Sequence, residues 1–283
     1  SSTTRVLCAT VVDEKSHFDG KVGPASAKWP TQLYFSDKAG LPVSSAEIAD
    51  VYPGVNIRRT LLMPVLDGLE TPLVIDLVHA NGQAAHQYDL PLHFSGHIME
   101  HSFTPERYVS ARPVLGEANG YQHIWVDGIA RVKGDGGALT WILDGRFYTY
   151  RFASTSPLDV ILGESGANDP DFNLRREPLL MLRGKTAAAG DISFASLLEA
   201  HGSYDGAAEQ TLDSRSLVSG FEHARIEGID LIRLTLKSGQ RYAIAVSHNP
   251  DPDAEHSVVA DGRSITWKGF AAAIALDGEG TTQ

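Results

Sequence analysis

Trp141-Ile-Leu-Asp144-Gly145-Arg146-Phe-Tyr-Thr-Tyr-Arg-Phe152 decides the fold. Two runs rich in aromatic residues flank an Asp-Gly pair, and such a pair readily adopts the positive φ angles of a two-residue hairpin turn. The same grammar recurs in both directions along the chain. Gln32-Leu-Tyr-Phe-Ser36, Leu73-Val-Ile-Asp-Leu-Val78 and Tyr121-Gln-His-Ile-Trp-Val126 are short apolar runs of strand length. Leu231-Ile-Arg-Leu-Thr-Leu236 and Tyr242-Ala-Ile-Ala-Val246 continue the series. Asp67-Gly68, Asn81-Gly82, Asp127-Gly128 and Asp261-Gly262 mark further turns. Helical signal is poor: only Ser44-Ser-Ala-Glu-Ile-Ala-Asp50 reads as a short helical turn, with Ser44 or Ser45 as its N-cap. The expectation is an all-β chain, a large antiparallel β-sandwich of two packed sheets with very little helix. No repeat, low-complexity linker or composition break divides it. Residues 11–276 therefore read as one β-sandwich domain, 1–10 as an atypical or non-native segment, and 277–283 as a flexible tail.

The 283 residues are ample for a large core, and 42% hydrophobic against 21% charged is an ordinary globular balance. A net charge of −11 argues against nucleic acid or an anionic membrane as partner, because like charges repel at long range. The same charge would repel an acidic sugar chain unless a locally basic cleft received it. Arg58-Arg59 and Arg175-Arg176 are the candidates, although strand neighbours point to opposite faces. Cys8 is the only cysteine, so no intrachain disulfide forms and the compartment stays open. No signal peptide or apolar membrane span is read in these residues, and a periplasmic or secreted location is left open.

Several longer segments carry a resemblance. They are Leu162-Gly-Glu-Ser-Gly-Ala-Asn-Asp-Pro-Asp-Phe-Asn-Leu-Arg175-Arg-Glu-Pro178 and Ser196-Leu-Leu-Glu199-Ala-His201-Gly-Ser-Tyr204. Val11-Val-Asp-Glu-Lys-Ser-His-Phe18, Asp89-Leu-Pro-Leu-His93-Phe94 and Asn119-Gly-Tyr121-Gln-His-Ile-Trp125 join them. Together they resemble the carboxyl-terminal β-sheet domain of the oligoalginate lyases, polysaccharide lyase family 17 of the heparinase II/III-like group. The resemblance implies alginate lyase chemistry, the β-elimination of a uronic acid chain. That reaction neutralises the C5 carboxylate, removes the C5 proton and protonates the leaving oxygen.

The family's catalytic asparagine, histidines and tyrosines belong to a helical toroid and to the start of the β domain. These segments have no counterpart among the 283 residues. The resemblance also places a zinc ligand shortly before the Val11-Val12 strand. In that register Leu7-Cys8-Ala9 stands in its place, and leucine does not ligate zinc. No metal or other cofactor is expected.

Glu199, His201 and Tyr204 are the best remaining candidates for sugar contact, with Arg175 as a carboxylate partner. The bland alternative is that Glu199 and His201 satisfy each other and brace a turn. Removing Glu199 is expected to weaken oligosaccharide binding with little loss of fold. Asn168, Asp169 and Asn173 read as loop-shaping residues, and Arg175 or Arg176 as a surface partner of Glu177. His93, His97 and His101 have helical ligand spacing but lie on predicted strands. His79 and His86 flank the Asn81-Gly82 turn and are expected to face each other across a hairpin, as surface residues rather than zinc ligands. Tyr121, His123 and Trp125 are read as alternating on one strand face, core or sugar platform. Three function classes stay open: a polyuronate lyase domain, a non-catalytic carbohydrate-binding module, and a structural module supporting a homodimer. In the first two the partner is an acidic oligosaccharide such as alginate.

Overall fold

The computed structural model describes residues 10–166 and 176–277. Among them the chain is built almost wholly of antiparallel strands. In order these are β1 (Val11–Val12), β2 (Thr31–Ser36), β3 (Val43–Tyr52), β4 (Val55–Leu62), β5 (Val74–Gly82), β6 (Gln87–His93) and β7 (His97–His101). Then follow β8 (Glu106–Arg107), β9 (Ile124–Val132), β10 (Gly137–Leu143), β11 (Arg146–Ser154), β12 (Leu158–Gly166), β13 (Arg176–Lys185) and β14 (Gly190–Asp205). The last are β15 (Gln210–Leu212), β16 (Val218–Ile226), β17 (Ile229–Leu236), β18 (Arg241–Ser247), β19 (Glu255–Ala260), β20 (Arg263–Lys268) and β21 (Ala271–Ala275). The all-β antiparallel class is as read, and the structure adds layers to it. Sheet one is ordered β1-β6-β13-β12-β9-β8, and sheet two β2-β3-β4-β5-β14-β11-β10-β7 with β15 on β14. Sheet three is β16-β17-β18-β21, and sheet four is the β19-β20 hairpin.

Sheet two is a middle layer, which explains the nearly continuous apolar run in β14. Ile192 and Phe194 enter a first core shared with Tyr88, Leu158 and Leu180 of sheet one. Ala195 and Leu197 enter a second core with Ile232, Leu234 and Ile244 of sheet three. A third core, around Trp267, Ile265 and Leu231, joins sheets three and four. Each fully buried leucine or phenylalanine contributes about 1.5–3 kcal/mol by leaving water.

Turns explain the rest. Asp144-Gly145 and Asp261-Gly262 do close hairpins, with φ of 50° and 76°, and 50° and 77°. Asp127-Gly128 instead lies inside β9, where the register against β12 slips by one residue. Asn81-Gly82 is not a hairpin either, because β5 pairs with β4 and β14 while β6 pairs with β1 and β13. The chain crosses there from sheet two to sheet one. Ser44–Asp50 forms no helical turn but the body of β3, its Ser45 and Thr60 hydroxyls paired at 2.8 Å. The only helices among the described residues are short: 3-10 turns at His17–Gly20 and Tyr121–His123, and an α-helix at Val22–Ala27.

Candidate functional site

β14 is the longest strand, and beyond Leu198 it outruns its partner β5. Glu199 and His201 share the face that carries Leu197, so both turn toward the linker leading into sheet three. Glu199 is only 2% exposed. One carboxylate oxygen accepts the Leu217 amide at 2.7 Å and the other the Ser216 hydroxyl at 2.5 Å. His201, 4% exposed, lies 2.9 Å from the Thr149 hydroxyl and 2.8 Å from the Asp213 carbonyl. Arg151 completes the cluster by donating to the Val218 carbonyl. The two residues thus brace a turn as the bland reading had it, though each does so through the linker rather than through the other.

Tyr204 differs, being 43% exposed at the end of the same strand. Its amide donates to the Gly145 carbonyl at 2.7 Å, which brings it beside the β10–β11 turn. Arg146, exposed, stands opposite Ser203 in the ladder. The sequence reading missed Arg146, although the Asp144-Gly145 turn that places it was legible. Arg146 shares the face of Ser203 and Tyr204 takes the opposite one, so the exposed phenol offers a ring face for a pyranose while the guanidinium lies across the end of the sheet from it.

The other candidates scatter. Arg175 lies outside the described residues, as do Leu7, Cys8, Asn168, Asp169 and Asn173. Arg176 pairs with Glu164 at 3.5 Å, its guanidinium 4.9 Å from the centre of the Trp125 ring. Arg58 and Arg59 do point to opposite faces. Arg58 donates to Glu47 and to the His248 carbonyl, and Arg59 grips Asp76 with two bonds of 2.9 and 2.7 Å. Tyr121, His123 and Trp125 do not alternate along one strand, because Tyr121–His123 is a 3-10 turn. Tyr121 is fully buried and donates to Asp89 at 2.6 Å. His97 and His101 lie on the β7 strand and His93 ends β6, as the strand reading required.

The sequence did not reveal a polar cluster on the outer face of sheet one. Asp89, 1% exposed, takes two bonds of 2.8 Å from Arg183 besides the Tyr121 hydroxyl. Arg183 also pairs with Glu14 at 2.8 Å. Burial and the Asp89 charge push the Tyr121 phenol far above its ordinary value. Asp13 and His86 meet at 2.8 Å alongside. They offer a metal two donors, and among the described residues no group of three His, Cys, Asp or Glu is placed to hold one.

Comparison with known proteins gives a consistent direction. Residues 236–274 match the family model for the C-terminal domain of exo-oligoalginate lyase-like proteins. Over 264 residues, 93% of the chain, the sequence is 44% identical to an alginate lyase of Stenotrophomonas maltophilia. Over 267 residues it is 38% identical to an exo-oligoalginate lyase of Saccharophagus degradans. The chain spans about 35% and 36% of the lengths of these two relatives. Among solved structures, a heparan sulfate lyase mutant from Pedobacter heparinus superposes with a TM-score of 0.52 at 13% identity, covering 87% of this chain and 31% of that one. That likeness concerns the fold alone.

Proposed function

From its kinship with the carboxyl-terminal β-sheet region of the oligoalginate lyases, we propose that this chain is part of a polyuronate lyase cleaving alginate by β-elimination. The observation that carries this reading is the reach of the identity, which runs through nearly every strand rather than through one motif. The residues that the resemblance assigns to proton transfer have no counterpart in these 283 positions. The contribution of this region is therefore contact with an acidic oligosaccharide. Tyr204 stacks on a sugar ring, and an oligosaccharide passing over the end of β14 carries a further carboxylate to Arg146 on the other face, a positive charge that a net charge of −11 otherwise denies such a ligand. Arg175 remains a second carboxylate partner in this reading. Glu199 and His201 act from behind, holding the linker that supports the Tyr204 end of β14.

The test is calorimetric titration of the purified chain with an oligomannuronate and with a neutral glucan oligosaccharide of equal length. Selective binding of the acidic sugar, weakened about 5–30-fold by Tyr204→Ala or Arg146→Ala, is expected from the loss of one such contact. Equal binding of both sugars, or none of the uronate, would sink the proposal. Ultraviolet absorbance of the unsaturated uronate product gives the second arm. A flat trace is expected, and a steady rise would show that these residues cleave by themselves.

A further inference from the structure

One end of the second core is polar, and it joins sheet two to sheet three. Arg225 on β16 is its centre. One of its terminal nitrogens lies 3.0 Å from Nδ1 and 3.2 Å from Nε2 of His79 on β5, and it also pairs with Asp191 on β14. The other lies 3.3 Å from Nδ1 of His248, just after β18. Arginine has only donors, so Nδ1 of His248 and one ring nitrogen of His79 must present lone pairs to it. The far nitrogen of His248 meets Asp230 of β17 at 2.7 Å, and His223 of β16 holds the other oxygen at 2.8 Å. Ser193 of β14 stands 3.2 Å from Nδ1 of His79. Arg58 of β4, paired with Glu47 of β3, donates to the His248 carbonyl at 3.1 Å.

We propose that His79 is an acid-sensitive clasp: a proton taken up there turns an accepting nitrogen into a donor facing Arg225. This loosens sheet three, with the β19–β20 hairpin it carries, from sheet two. The partners decide that His79 is the trigger. Burial first, and then the Arg225 charge, push it down to about 4, so its proton is excluded until the medium is acidic. Asp230 is held well below the usual carboxylate range by its two imidazoles and stays ionised while His79 titrates. Protonating His223 would strengthen its bond to Asp230 and resists opening. Protonating His248 turns a second donor toward Arg225 and promotes it. Asp191 is the carboxylate that offsets the guanidinium, and Glu47 holds Arg58 beside the His248 carbonyl. The middle of the seam is apolar, with Leu77, Ala195, Ile232 and Ile244 packed together, and at its other end Arg151 of β11 donates to the Val218 carbonyl of β16, so acid opens the His79 end first. The clasp lies apart from the sugar contact at Tyr204 and stands or falls independently of it.

Two measurements test it. The first is the NMR titration of the His79 imidazole in the unaltered chain. A midpoint below 5 is expected, moving upward in Arg225→Met, whereas a midpoint near 6.5, the ordinary histidine value, overturns the proposal. The second is amide exchange, corrected for intrinsic rate, across Val218–Ser247 and, as internal reference, across Leu158–Gly166 and Arg176–Lys185. Acid should raise exchange at least tenfold in the first segment while the reference strands stay protected, and His79→Gln should abolish the difference. Simultaneous loss of protection in both regions, or an unchanged profile in His79→Gln, would contradict the clasp.

Discussion

Glu199 shows what a buried carboxylate contributes when both oxygens are occupied. Its removal leaves the Ser216 hydroxyl and the Leu217 amide without that acceptor and strips Arg151 of the carboxylate charge that acts on it most strongly. Stranding buried donors costs their full desolvation, so Glu199→Ala is predicted to lower unfolding stability by about 2–4 kcal/mol. Glu199→Gln should lose less, because one carbonyl oxygen still accepts. Tyr204→Ala, at an exposed site, should stay within about 0.5 kcal/mol of the parent. Urea denaturation of the three variants gives the ranking. Equal midpoints for Glu199→Ala and the parent would mean that the linker is held by its apolar contacts alone. This revises the expectation that Glu199 could be removed with the fold intact. A sequence position does not reveal whether a strand residue faces solvent or a linker folded over it, and here Asp213–Val218 covers the face.

At the scale of elements, the turns carry the sharpest contrasts. Gly228 and Gly136 have φ of 81° and 77°. A Cβ on Gly228 meets nothing within 4 Å, whereas one on Gly136 would sit 1.7 Å from the Phe152 carbonyl oxygen. Gly228→Ala therefore carries only the left-handed backbone cost of about 1–2 kcal/mol. Gly136→Ala is predicted to cost at least twice as much, because backbone of β11 must also shift. Glu227 sits at φ 47° before Gly228, a conformation that asparagine tolerates better. Glu227→Asn should gain a few tenths of a kcal/mol, and thermal melts of the three variants check the order. The same elements show what was legible in the sequence. Asp144-Gly145 and Asp261-Gly262 announced their hairpins because the turn is local chemistry. Asn81-Gly82 misled, because pairing depends on which sheet the next strand joins, and that is decided by distant partners. Ser44–Asp50 misled in another way: serine as N-cap is only a weak local preference. In β3 it was overruled by a ladder with β2 and β4 and by the buried Ser45–Thr60 bond. Tyr204 was legible through its motif. Arg146 was not, since its place at the end of β14 comes from pairing between strands more than fifty positions apart.

For the whole molecule, the layered plan makes stability depend on pH in separable steps. His79 has a folded-state value of about 4 against 6.5 when exposed. The folded chain thus excludes a proton that the unfolded chain accepts. Its contribution is complete above 6.5 and is lost as pH falls toward 4. The gap converts to at most ~3 kcal/mol. The carboxylates act lower down. Asp230 and Asp13 have depressed folded-state values, the first with its two histidines and the second with the Gln87 amide and His86 opposing burial. Their contributions are complete above the ordinary aspartate value of 3.8 and are lost only as pH falls through the folded values beneath it. The urea midpoint should accordingly fall in two stages on acidification, the first between 6.5 and about 4 and the second below 3.8. His79→Gln should erase the first stage and spare the second. A single descent confined to the region below 3.8 would assign acid stability to the carboxylates alone. It would also leave the seam between sheets two and three held by its apolar core at every pH where the chain is folded.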